Sequence, residues 1–196
     1  HCSFSWSIDE IASVWGPHDN ITFSNNIFAE PLHQSIHQTD DGSGMENHGF
    51  GVLLGSSASG GRVTMVGNLF AHNVERNPLA RSRELVFVNN LIYNRVNVDL
   101  DIQSQDGRTT RSSVVGNVFL RGPSYDRTTR PIYVRTTGSF SLLLGSRVYV
   151  HDNHAPETSS STSGTTLVSL TGGDVLSGLL QLSTAPVWNT GLTARA

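Results

Sequence analysis

Apolar and polar residues alternate along much of the chain in short runs that reach an Asn and then resume with two apolar residues. The phrase occurs as Ile21-Thr-Phe-Ser-Asn-Asn-Ile-Phe-Ala29, as Val63-Thr-Met-Val-Gly-Asn-Leu-Phe-Ala71 and as Leu85-Val-Phe-Val-Asn-Asn-Leu-Ile-Tyr93. It returns as Ser113-Val-Val-Gly-Asn-Val-Phe-Leu120 and, more loosely, as Val148-Tyr-Val-His-Asp-Asn-His154. His1-Cys-Ser-Phe-Ser5 reads as the second half of a further copy. Alternation with a period of two predicts strands, and the interrupting Asn predicts a tight turn between them. Asn suits such a turn because it tolerates a left-handed backbone and can hydrogen-bond to its neighbours.

A recurring phrase marks a repeat architecture. The turn positions are Cys2, Asn26, Asn68, Asn90, Asn117 and Asn153, separated by 24, 42, 22, 27 and 36 residues. The shortest spacing suits one coil of a right-handed parallel β-helix, in which three short strands make one triangular turn. Longer spacings then mean loops inserted into the same coil, and stacking places the Asn side chains in a ladder along the axis. An antiparallel sandwich with fortuitous Asn turns is the alternative. The segments 30–50 and 95–111 read as insertions, and 158–166, rich in Ser, Thr and Gly, reads as a flexible loop. The chain is expected to be a single β-helical domain over 1–196. Neither end carries the polar cap that a solenoid needs, which predicts a piece of a longer protein.

Composition agrees with strands over helices. The chain of 196 residues has 19 Gly and 14 Asn, and its 13 basic residues are all Arg, with only six Glu. That removes the Glu/Lys surface of a helical bundle. A net charge of -3 argues against nucleic-acid binding by bulk electrostatics, and no apolar run is long enough to span a membrane as a helix. A lone Cys2 allows no internal disulfide.

A β-helix offers flat sheets as a floor and long loops as walls, an open groove suited to a polymer. The densest chemistry is Arg76-Asn-Pro78-Leu-Ala-Arg81-Ser-Arg83, three guanidinium groups in eight residues. Guanidinium forks grip carboxylates bidentately, which suits an acidic sugar chain, although solvated arginines paired with Glu75 and Glu84 would look the same. On the 30–50 insertion, His33, His37 and His48 lack the tight spacing of a zinc site and read as groove-lining or solvent-exposed residues. Asp99 and Asp101, two apart, would share one face of a strand and could serve a glycosidase. Trp6, Trp15 and Trp188 could stack on sugars, with Trp6 in strand context read as core.

Arg76-x-Pro78-Leu79-x-Arg81 followed by Val-Phe-Val-Asn-Asn resembles the Arg-x-Pro-x-x-Arg segment of the pectate lyase family, polysaccharide lyase family 1. His1-Cys-Ser-Phe-Ser-Trp-Ser-Ile-Asp9 resembles the His-Cys-Ser-x-Ser strand that leads into that family's calcium site, and Gly51-Val-Leu-Leu-Gly55 resembles the strand before its catalytic coil. The resemblance implies cleavage of polygalacturonate or pectin by β-elimination, a monomeric enzyme and a secreted location. It makes Arg76 the base at C5 of the uronate, Arg81 the grip on the substrate carboxylate and Asp9 a Ca²⁺ ligand. The family's second acid falls on Ser13, for which Glu10 would substitute, and a further one would precede His1. The family's substrate-binding Lys falls on Phe50, and His48 would supply a cation in its place at mildly acid pH. The departures at Ser13 and Phe50 also suit a metal-independent enzyme of the pectin lyase type, acting on esterified polymer. A non-catalytic β-helical carbohydrate-binding module is the further alternative.

Overall fold

The structure is a computed structural model that describes residues 1–55, 61–105, 107–124, 130–155, 167–171, 179 and 182–194. The expected loop at 158–166 lies outside the described residues. Sixteen short strands are described, and they recur in a fixed order of three. One sheet holds β1 (Ser3–Phe4), β4 (Ile27–Ala29), β7 (Leu69–Ala71), β10 (Leu91–Tyr93) and β13 (Val118–Leu120). A second holds β2 (Ala12–Val14), β5 (Val52–Leu54), β8 (Leu79–Ala80), β11 (Leu100–Ile102), β14 (Ile132–Val134) and β16 (Val168–Leu170). The third holds β3 (Ile21–Ser24), β6 (Arg62–Val66), β9 (Glu84–Val88), β12 (Arg111–Val115) and β15 (Arg147–His151). Every strand pairing is parallel, each strand with its counterpart one coil away, so the chain is a parallel β-helix.

The core follows from strand alternation, because every second side chain of all three sheets points to the axis. Phe4, Phe28 and Phe70 stack in register with centroids 5.3 and 5.2 Å apart, and Ile92 and Phe119 continue the column. Val52, Leu54, Ile102, Ile132 and Val134 fill it from the second sheet, and Met65, Leu85, Phe87 and Val114 from the third.

The Asn ladder occupies the turn between the third and first sheets. The Oδ1 of Asn26, Asn68, Asn90, Asn117 and Asn153 each accepts the backbone N–H of the turn residue one coil back at 2.9 Å. All five are buried, and the Nδ2 groups from Asn26 to Asn117 donate along the same column. The left-handed conformation does not belong to these Asn residues. It belongs to the residue before each: Asn25, Gly67, Asn89, Gly116 and Asp152, with φ between 52° and 66°. The turn thus separates two duties, and the ladder Asn is selected for its buried amide.

Three expectations are corrected. Residues 95–111 are no simple insertion, since Leu100–Ile102 form β11 and pair in parallel with β8 and β14. Trp6 is not core: it sits in a left-handed turn after β1 and is 74% exposed. Trp188 faces no groove, since it packs with Val187 and Leu192 over Val86, Val88 and Val115 on the outer face of the third sheet.

Candidate active site

Arg76 and Arg81 flank β8 of the second sheet, five residues apart with a short strand and a cis Asn77–Pro78 peptide between them. Arg76 itself is left-handed, at φ 61°, a strained conformation for a side chain of this size. Neighbouring coils hold it there. Gly51 N–H donates to the Glu75 carbonyl at 2.9 Å, Val52 N–H to the Arg76 carbonyl at 2.7 Å and Asn77 N–H to the Asp99 carbonyl at 2.6 Å. A Cβ on residue 51 would press into that Arg76 carbonyl oxygen, well inside van der Waals contact. Gly51→Ala is therefore expected to displace the Arg76 loop and lower activity about 100-fold. Steady-state rates, with circular dichroism to establish folding, check this.

The guanidinium of Arg76 lies over the Phe50 ring, 3.9 Å from its centroid, and is paired with the Glu10 carboxylate. The position of the family's lysine is thus the aromatic platform for the arginine. Burial, and then the neighbouring Asp9, push the Glu10 carboxyl above the usual carboxylate range despite Arg76. Arg81 stands over Phe140 at 3.9 Å and donates from Nε to Gln103 Oε1 at 2.9 Å. Burial, followed by the Arg76 charge, lowers the Arg81 pKa from its ordinary value.

Between them opens a cleft of about 460 Å³ whose lining includes Arg76, Arg81, Asp101, Gln103, Tyr133 and Arg135. Nε of Arg76 and Nε of Arg135 are buried donors with no hydrogen-bond partner among the described residues. Three guanidinium groups thus line one cleft together with the carboxylates of Glu75 and Asp101. Arg135 went unnoticed in the sequence, yet its signal is there. Arg81, Gln103 and Arg135 each directly follow a strand of the second sheet, and the aligned positions one and two coils back are Gly55 and Trp15. Glu75 and Glu84 do pair with arginines, but Glu84 takes Arg111, and Glu75 lies 3.8 Å from Arg76.

Asp99 and Asp101 do not form a catalytic pair. Asp99 precedes β11 and is locked in a buried ion pair with Arg95 at 2.6 Å, whereas Asp101 points into the cleft between Gln103 and Arg135. Burial pushes the Asp101 carboxyl above its usual range. A folded pKa above the unfolded one contributes stability that is present at low pH and lost as pH rises through the folded value. Asp101→Asn is accordingly expected to flatten the loss of stability on going from the ordinary carboxylate range towards neutrality. Thermal melts of both proteins across that range test it.

Asp9 and Glu10 diverge in their partners. Glu10 turns to Arg76, while the Asp9 carboxylate faces Nε2 of His37 at 3.6 Å and Nε2 of His48 at 3.4 Å. His48 is buried, stacked on His37 and absent from the cleft lining, and burial lowers its pKa. That environment favours the neutral ring over a substrate-binding cation. His33 stands apart, its Nδ1 2.6 Å from the His48 carbonyl oxygen. Ser13 lies exposed on β2 and brings no charge. Calcium takes six to eight oxygen ligands, mainly carboxylate and carbonyl. Around Asp9 stand two imidazoles, with Glu46 behind the rings and Glu10 turned to Arg76, so the described residues do not by themselves make such an oxygen cage.

No protein-family model matches the chain. Among curated proteins, it is 32% identical to a probable pectate lyase C of Aspergillus terreus over 124 residues, 63% of this chain and 26% of that protein. It is 29% identical to a probable pectate lyase C of Neosartorya fischeri over 152 residues, 78% of this chain and 31% of that protein. A probable pectate lyase C of Aspergillus fumigatus is 32% identical over 124 residues. The chain thus spans about a quarter to a third of the length of these relatives. In sequence, the chain is similar to proteins named probable pectate lyase C and so resembles the pectate lyase family.

Proposed function

We propose that this chain forms the cleft of a secreted polysaccharide lyase that cleaves a uronate polymer, polygalacturonate or pectin, by β-elimination. The observation that carries the reading is the convergence of Arg76, Arg81 and Arg135 on one open cleft, with donors of Arg76 and Arg135 left unpartnered. In this reading Arg81 and Arg135 grip the uronate carboxylate and stabilise the enolate-like charge that develops when C5 loses its proton. Arg76 takes that proton. The C5–H electron pair becomes the C4–C5 double bond, and the glycosidic oxygen leaves from C4 with its bonding pair and takes a proton from water in the open cleft.

A guanidinium is normally protonated and makes a poor base. Glu10 supplies the remedy: its carboxylate, paired with Arg76 and raised in pKa by burial, takes one proton from the guanidinium as C5 delivers another. The pair then ends with a neutral carboxyl and a charged arginine. No step is assigned to calcium, because the residues around Asp9 do not fit it. Free carboxylates suit the grip of Arg81 and Arg135 better than methyl esters do, which favours de-esterified polymer.

The test is the ultraviolet absorbance of the unsaturated product, followed with the full-length protein on polygalacturonate and on esterified pectin. A rising signal on polygalacturonate that is lost in Arg76→Ala is the expected result. A signal on esterified pectin alone would move the substrate to the pectin lyase type. Binding without any signal on either polymer would make the cleft a carbohydrate-binding module.

A further inference from the structure

Asp9, His37 and His48 come from two distant parts of the chain, and their ligand atoms lie within 4.8 Å of one another. The insertion at 30–50 folds back so that the His37 and His48 rings stack, centroids 3.7 Å apart and planes at 29°. Both Nε2 atoms face one Asp9 carboxylate, at 3.6 and 3.4 Å. Those separations are long for N–H···O hydrogen bonds. They run to different oxygens of the carboxylate, His37 to Oδ2 and His48 to Oδ1, so an ion seated among the three groups could take one donor atom from each.

The opposite edges of the rings carry a second signal. Nδ1 of His37 and Nδ1 of His48 lie 3.4 and 3.6 Å from one Glu46 oxygen, and both are buried atoms without a hydrogen-bond partner among the described residues. A carboxylate behind the far nitrogen of a metal-binding His fixes the tautomer and directs the other nitrogen's lone pair at the ion. Here one carboxylate stands behind both rings, at separations as long as those to Asp9, so it acts on them by charge and tightens to hydrogen bonds only if the rings are drawn onto an ion.

We propose that Asp9, His37 and His48 form a binding site for a borderline divalent metal ion of the zinc type, with Glu46 orienting both imidazoles. Two neutral imidazoles and one carboxylate are ligands of zinc and its transition-metal neighbours, not of calcium. Three protein ligands leave the fourth tetrahedral position open. Occupancy ties the insertion to the segment before β2. It also places a dication one ring from the active arginine, since His48 packs on Phe50 at 4.4 Å and Phe50 carries Arg76. The proposal stands apart from the lyase reading, because metal binding is read without substrate.

The experiment uses tag-free, full-length protein stripped with chelator and titrated calorimetrically with Zn²⁺ and with Ca²⁺. One Zn²⁺ per chain, bound more tightly than Ca²⁺ and raising the melting temperature, is expected. Co²⁺ in its place should show the intense visible absorption of a tetrahedral centre. His37→Gln and His48→Gln should each abolish tight zinc binding, and Glu46→Gln should weaken it about 10–100-fold. Arg76→Ala should leave it unchanged, which separates this site from the lyase chemistry. Circular dichroism identifies any variant that fails to fold, and His37, less buried than His48, supplies the variant if His48 does not. Absence of zinc binding in the folded protein, zinc binding that survives both His variants, or a preference for Ca²⁺ would overturn the proposal.

Discussion

Replacing Arg76 with Ala is expected to lower kcat on a uronate polymer about 100- to 10,000-fold, the range in which positioned proton transfer contributes. KM should change little, because Arg81 and Arg135 remain to hold the carboxylate. The expectation rests on how much structure is devoted to that one side chain. Its backbone is left-handed, its carbonyl and both flanking residues are bonded to adjacent coils, and its guanidinium is clamped between Phe50 and Glu10. Arg76→Lys should fare almost as badly, since an ammonium cannot reproduce the planar fork on the ring and the carboxylate. Glu10→Gln should reduce kcat while leaving KM near its original value, because the amide takes no proton from the guanidinium. If Arg76→Ala kept its turnover with wild-type folding, the base would have to be sought elsewhere. If it lost binding together with turnover, Arg76 would be a substrate grip.

The second large effect is structural. Asn90 sits in the middle of the ladder, where its Oδ1 accepts from the backbone and side chain of Asn68, and its Nδ2 donates to the Met65 carbonyl and to Asn117. Asn90→Ala leaves the buried Asn68 N–H without its partner and takes one bond each from the Met65 carbonyl, Asn68 Nδ2 and Asn117 Oδ1, of which the last two keep the Phe23 carbonyl and the residue-90 N–H. An unsatisfied buried polar group costs about 1–3 kcal/mol, and with the weakened bonds and the vacated side-chain volume a destabilisation of roughly 3 kcal/mol is expected. Asn25→Ala gives the contrast. Its exposed side chain donates to the half-buried Ser24 hydroxyl, but its left-handed backbone disfavours a Cβ without local polar support, so a loss of about 1 kcal/mol is expected. Denaturant unfolding of both variants measures the difference. Equal losses would mean that the ladder amides contribute no more than the turn geometry.

The fold was legible because a solenoid writes its period into the chain. The repeated Asn phrase fixed the coil boundaries, and the ladder joins the six turn positions that the spacing identified. What escaped were features whose period is spatial. Leu100–Ile102 carries Asp101 at its centre, pointing outward into the cleft, so β11 lacks the apolar run that marks other strands. Trp6 looked like core because its neighbours are strand residues, but the turn after β1 swings it outward. The left-handed residue sits one place before each ladder Asn, a distinction hidden wherever two Asn residues are adjacent.

At the site, the Arg76 to Arg81 segment was visible as a local motif. The cleft's third arginine, Arg135, was not, since 54 residues separate it from Arg81 and only stacking of coils aligns them. The same reason hid the cluster of Asp9 with His37 and His48. Its ligand spacing along the chain is irregular, and the 30–50 insertion must fold back before the imidazoles meet the carboxylate. The polar partners of Glu10 also could not be read from sequence. Strand alternation does not apply to Asp9 and Glu10, which lie between β1 and β2. Glu10 pairs with a guanidinium and Asp9 faces an imidazole pair through folding of the turn.

The central claim is that the arginine cleft breaks its polymer by elimination. The most direct measurement is the mass spectrum of oligosaccharides released from polygalacturonate by the full-length protein, alongside the Arg76→Ala variant. Elimination predicts new chain ends lighter by one water than saturated uronate, absent with the variant. Products carrying the full mass of water at the new end, or unsaturated products made equally well by the variant, would contradict it.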